Sequence, residues 1–165
     1  MSNMDSLATE FEREAQTTRK HLSRLPEEKL DWRPHEKSFT AAGLGSHIVE
    51  CMGWAESIFK KDEIDFDPAT FKPYKAKSVA ELLKTFDDNV ATAKAAISGI
   101  NETTLEQPWR LKIMGQTQFE KSKAAVFRDF VLSHVIHHRG QLSVYLRLLN
   151  VPVPGSYGPS ADEQL

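Results

Sequence analysis

Phe127-Arg-Asp-Phe-Val-Leu-Ser-His134-Val-Ile-His137-His138-Arg139-Gly140-Gln141-Leu-Ser-Val-Tyr145-Leu-Arg147-Leu-Leu149 is the stretch that decides the fold. Apolar residues recur through it at helical spacing. Phe127, Phe130, Val131, Leu142, Tyr145, Leu148 and Leu149 share one stripe, and Asp129, Ser143 and Arg147 lie opposite. The pattern predicts a helix over roughly 124–149 that stops before Val151-Pro-Val-Pro-Gly155. His134 and His138 fall one turn apart in the centre of that stripe, about 40° out of line, with Gln141 beside them. His137 sits at the edge, about 60° from His134 and about 100° from His138. Polar groups in a helix-packing face are costly unless partnered. An i, i+4 pair of neutral imidazoles suits a late divalent metal such as zinc, whereas a lone histidine on an apolar face is more often hydrogen-bonded core.

The rest of the chain supplies three more amphipathic segments. Residues 5–24 align Leu7, Phe11, Ala15, Thr18 and Leu22. A second helix starts near Ser38 or Thr40 and runs to about Phe59, its inner face carrying Leu44, His47, Cys51, Trp54 and Ile58. Gly43, Gly45 and Gly53 lower its intrinsic stability by up to roughly 1 kcal/mol each, which points to close helix approach or room for a ligand. After a loop with Pro68 and Pro73, Ser78 and Glu81 form a capping box for a third helix with Val79, Leu83, Phe86, Val90, Ala93 and Ile97 on one side. Gly99 ends it. Residues 100–123 read as irregular, with a possible small β-hairpin of Trp109–Ile113 and Gln116–Phe119 around Gly115.

Four such helices in one domain, residues 1–165, predict an all-α four-helix bundle. The link between the second and third helices is long enough to cross the bundle, so those two can run parallel. Composition agrees with a globular enzyme-sized domain. Of 165 residues, 40% are hydrophobic and 27% charged, and the net charge is −2. Disorder, a membrane span and nucleic-acid binding through a broad basic face are all disfavoured. The N-terminal stretch has no hydrophobic signal core, and the single cysteine, Cys51, fits a reducing compartment, so a cytoplasmic protein is expected.

Two histidines are too few for a tight metal site. His47, centred on the second helix, is the natural third ligand, and Cys51, one turn later, is either a thiolate ligand or a small buried apolar residue. His21 and His35 are expected to be solvated. Glu50 is placed to orient a ligand, to act as a base or to lie on a solvated surface, and Arg139 either at the rim facing an anion or in a surface ion pair. The tail after Pro152, rich in turn formers, would pack on the surface or fold over the bundle end as a lid. Three protein ligands with an open position describe a catalytic centre better than a structural one, and no HExxH arrangement points to peptide hydrolysis.

Leu44-Gly-Ser-His47 followed by His134-x3-His138-Arg-Gly-Gln141 resembles the DinB/YfiT-like family of metalloenzymes. The likeness covers most of the chain, including Trp32-Arg-Pro-His35 and Gln141-Leu-Ser-Val-Tyr-Leu-Arg147. It implies an up-down-down-up four-helix bundle and one divalent metal ion, zinc or nickel, on His47, His134 and His138. Phe130 stands where many relatives carry a further histidine, so a four-histidine site is not expected. The resemblance also implies a homodimer and a thiol S-transferase that joins a low-molecular-weight thiol to small electrophiles. Trp54, Gln141 and Tyr145 would line the substrate cleft. Metal-assisted hydrolysis, and a non-enzymatic metal- or ligand-binding stress protein, are the rival expectations.

Overall fold

Helix α1, Asn3–Leu22, buries Leu7, Phe11, Ala15, Thr18 and Leu22, the stripe expected from its spacing. In this computed structural model, which describes residues 3–164, Glu14 and His21 are buried beside that stripe as well. His21 is therefore not solvated as its helix-end position suggested. Its Nδ1–H donates to the Thr17 carbonyl at 2.9 Å, and the Ser156 hydroxyl lies 3.5 Å from Nε2. His35 does lie exposed.

Helix α2, Ala41–Lys60, starts at Thr40, whose hydroxyl accepts from the Gly43 N–H at 3.0 Å. Its core face is Ala41, Leu44, Ile48, Met52, Ala55 and Phe59, flanked by Val49, Cys51 and Ile58. His47 and Trp54 are only partly buried and sit on the shoulder of that face, not at its centre. Gly45 permits close approach to the next helix, because a Cβ there would lie 3.0 Å from Leu82 Cδ2 and 3.3 Å from Leu25 Cδ1.

The segment after α2 is more than a loop. Glu63–Phe66 forms strand β1, and the chain then runs to Ser78, whose hydroxyl accepts from Glu81 N–H at the start of helix α3, Val79–Ser98. The Glu81 carboxylate accepts from Lys77 N–H and not from Ser78, so the capping box is one residue out of register. In α3 the most buried positions are Leu82, Phe86, Ala93, Ala96 and Ile97, with Val79, Leu83 and Val90 at the edge. A short helix α4, Glu102–Glu106, capped by Asn101, occupies part of the region expected to be irregular.

The hairpin is present and longer than its apolar residues indicated: β2, Pro108–Ile113, pairs antiparallel with β3, Gln116–Ser122, through Met114 and Gly115, both at positive φ. β1 adds to β2 in parallel, Glu63 opposite Arg110 and Phe66 opposite Ile113, giving the order β1-β2-β3. The chain is thus mostly helical but not all-α. Sequence reading missed β1 because its four residues, Glu-Ile-Asp-Phe, are too few to show a period.

The final helical run comprises α5, Lys123–Phe127, a π-helical turn over Arg128–Ser133, and α6, His134–Leu148. The wide turn falls directly before His134, and such turns concentrate at functional sites. Lys123, itself buried, joins this run to the end of α2 through Asp62 at 3.0 Å and the Phe59 carbonyl at 3.4 Å. α6 buries Val135, Arg139, Leu142, Tyr145 and Leu146, while Leu148 is exposed. α1 packs against α3 and α6, and α2 against α3 and α6. Each large side chain in that shared core contributes about 1.5–3 kcal/mol through burial. Among the described residues no helix is long and apolar enough to cross a membrane.

Candidate metal centre

The core-facing stripe of α6 runs through Val135, Arg139, Leu142 and Leu146, and this turns His134 and His138 onto the flank that faces α2. There they meet His47, which the shoulder position on α2 directs toward the same space. His47 Nε2 lies 3.3 Å from His134 Nε2, and the His138 ring centroid is 4.6 Å from that of His47 and 4.7 Å from that of His134. Cys51 Sγ, one turn along α2, is 4.0 Å from His47 Nε2. The donor atoms of His47, Cys51 and His134 all fall within 4.8 Å of one another, a group that can hold a metal ion.

Neighbouring groups orient these donors. His138 Nδ1–H donates to Gln141 Oε1 at 2.8 Å, which leaves the Nε2 lone pair free. The same amide donates from Nε2 to His137 at 3.1 Å, so His137 is held at the exposed rim. Glu50 Oε2 stands 3.7 Å from His47 Nδ1, and its other oxygen accepts from the Tyr74 backbone N–H. A carboxylate behind an imidazole and an amide behind another are the usual supports of metal-ligating histidine.

The charge balance favours neutral ligands. Burial, reinforced by His138 and His47, pushes His134 down to about 4. His138 is lowered too, chiefly by burial, against the opposing hydrogen bond to Gln141. Burial, with Glu50 nearby, pushes the Cys51 thiol up to about 12. Clustered imidazoles that have lost their protons present lone pairs with few donors to satisfy them. A dication is the group that fits this donor set.

Two depressions flank the histidines, and Phe39 lines both. Its ring stacks on His47, 5.6 Å between centroids and 24° between planes, although the side chain is 52% exposed. On one side a cleft of about 590 Å³ is lined by His47, Glu50, Trp54 and the aromatic residues of the 61–78 crossover. The other, about 410 Å³, is lined by Lys37, His138, Gln141 and Tyr145. Trp54 thus stands at a cleft wall as expected, with Phe130 packed behind it at 6.1 Å. Gln141 serves His138 first. Tyr145 is largely structural: it is buried, its hydroxyl donates to the Phe39 carbonyl at 3.0 Å, and it meets Trp32 edge-on.

Arg139 corrects the sequence reading. It neither reaches an anion at the rim nor pairs on the surface, but lies buried against α1, 2.7 Å from Glu14 Oε2. Tyr157 of the tail accepts from Arg139 and donates to Glu14, so the tail is fastened to α1 and α6 and is no lid over the cleft. Sequence reasoning missed Phe39 and the crossover wall. The available signal was the density of aromatic residues, Phe66, Phe71 and Tyr74, in a segment read only as a spacer.

The family model described as the DinB family matches residues 1–164. This chain belongs to the DinB family. A DinB relative, the Bacillus subtilis (strain 168) protein named "Uncharacterized protein YrdA", is 27% identical over 164 residues, which is 97% of this chain and 91% of that protein. A DinB-like protein from Bacillus cereus ATCC 10987 superposes with a TM-score of 0.73 at 19% identity, covering 93% of this chain and 97% of that one. The DinB-like protein YjoA from Bacillus subtilis gives 0.71 at 18% identity, over 97% and 99% of the two chains. At those identities the likeness shows the DinB fold, and the histidine cluster is this chain's own observation.

Proposed function

We propose that this protein is a divalent-metal-dependent enzyme, a thiol S-transferase that conjugates a low-molecular-weight thiol with small electrophiles. His47, His134 and His138 hold the ion, zinc or nickel, with Cys51 as a buried neighbour. The convergence of three imidazoles from two helices at the mouth of a cleft carries this reading. Bound there, the ion supplies the positive charge that lowers the pKa of a thiol and raises its thiolate fraction. The chain's own residues do the rest. Gln141 and Glu50 fix the imidazoles, Trp54 and Phe39 exclude water from one side, and the open rim admits the second reactant. In the reaction a C–S bond forms, the leaving group departs with its bonding pair, and the thiol proton passes to solvent. The protein works as a single-domain cytoplasmic homodimer, with its long helices in up-down-down-up order, a reading supported by α2 and α3 running parallel, Gly45 beside Leu82 and Gly53 beside Asn89.

Elemental analysis of untagged protein, purified without added metal, tests the centre. Near-stoichiometric zinc or nickel is expected, followed by thiol conjugation that stops on chelation and returns on reloading. Conjugation that persists after complete metal removal would overturn the mechanism. Turnover of esters or lactones without thiol would replace it with hydrolysis.

A further inference from the structure

The larger cleft has a wall that the metal centre does not need. Trp54 of α2, Phe66 of β1, and Phe71 and Tyr74 of the crossover line it. Phe66 and Phe71 contact each other at 4.9 Å, yet Phe71 remains 47% exposed at the mouth. Its volume of about 590 Å³ lies within the ~300–1,000 Å³ range of small-molecule sites. Apart from the small Ser57 hydroxyl, the hydroxyl, amide and carboxylate groups of the cleft are already engaged. Glu50 takes the Tyr74 N–H and faces His47, and the Asn89 amide donates to the Val49 carbonyl. Lys75 lines the same cleft and has no hydrogen-bond or ion-pair partner among the described residues. An aromatic trough with one uncommitted ammonium is complementary to an apolar body bearing one negative charge.

We infer that this cleft binds a small organic anion, an aryl or alkyl carboxylate. Its apolar body lies among Trp54, Phe66 and Phe71, and its carboxylate meets Lys75. Resting on the function proposed above, this makes the electrophile an amphipathic acid, though binding itself requires no metal.

Isothermal titration of the full chain, metal-stripped and metal-loaded, with naphthoate, naphthylmethanol and naphthylmethylammonium separates the contributions. Naphthoate is expected to bind about threefold to tenfold more tightly than the alcohol, with the ammonium weakest. Lys75→Ala should reduce naphthoate to the alcohol's affinity, Lys72→Ala should leave the order unchanged, and Trp54→Ala should weaken all three alike. Equal affinities, a preference for the ammonium, no binding, or a Lys75→Ala variant that keeps the preference would each overturn the proposal. Naphthoate binding retained in His134→Ala supports the cleft even where the metal reading fails. Metal-dependent conjugation that naphthoate does not inhibit would keep the function and sink the anion site.

Discussion

His138 and Arg139 are adjacent on α6 and both are buried, yet their settings are opposite. Arg139 faces α1, where the Glu14 carboxylate at 2.7 Å, the Thr18 hydroxyl at 3.2 Å and the Tyr157 hydroxyl at 2.7 Å satisfy its guanidinium. His138 faces α2, where Gln141 takes one ring nitrogen and the other is left among the imidazoles of His47 and His134. The first set closes on itself, charge against charge and donor against acceptor. The second gathers acceptors that lack donors. A closed polar set holds the fold together, whereas an open one is a place for something from outside.

The largest expected effect tests the closed side. Glu14→Ala leaves a buried guanidinium without its counter-charge and should lower stability by about 3–5 kcal/mol in urea unfolding. The double replacement Glu14→Leu with Arg139→Met should recover most of that loss, because removing both charges also removes their desolvation cost. A cost below about 1 kcal/mol for the single variant would place the pair among ordinary surface ion pairs and break the contrast.

The open side should respond in the reverse sense. His134→Ala is expected to lose its metal in elemental analysis, while the metal-free protein unfolds within about 1 kcal/mol of the parent. Cys51→Ala should keep the metal; its loss would put the thiol in the ligand set in place of His138. Gln141→Leu sharpens the point further. It should weaken metal affinity about 10- to 100-fold without changing stoichiometry, since the amide only orients the His138 ring.

Returning to the closed side, Tyr157→Phe removes the hydroxyl shared by Arg139 and Glu14 and should cost about 1 kcal/mol, read as a shift in the urea midpoint. A further effect is that of pH on the metal-free protein. His134 titrates at about 4 in the fold against an ordinary 6.5, so between those values the unfolded chain binds a proton that the folded chain does not. Stability is therefore full above pH 6.5 and falls as pH drops toward about 4. His138 and His21, lowered in the same direction, steepen the fall. Urea midpoints across that range, in chelator, should flatten in His134→Ala, whereas added metal, which binds only the deprotonated imidazoles of the fold, should steepen the fall.

The amphipathic stripes, the Thr40 and Ser78 caps, the hairpin about Gly115 and the one-turn spacing of His134 and His138 were all legible in the amino-acid sequence. Each depends on spacing along one segment, and local geometry is set by a few torsions per residue. The phase of each stripe was less legible. His47, His134 and His138 read as centred on core faces, but they stand on the shoulders, because which neighbour covers a face is decided by all the helices together. The fate of Arg139 shows the same limit. About 100° of rotation separates it from His138, and only the position of Glu14 on α1 turned that side into the interior.

By itself the sequence determined the helical segments of a DinB chain and an i, i+4 histidine pair on the last of them. Tertiary structure alone decided that Arg139 is a buried tie, that the tail is fastened by Tyr157, and that the 61–78 crossover becomes a strand and a cleft wall. Those outcomes rest on contacts between residues tens of positions apart, which no local period encodes and which exist only once the segments have packed.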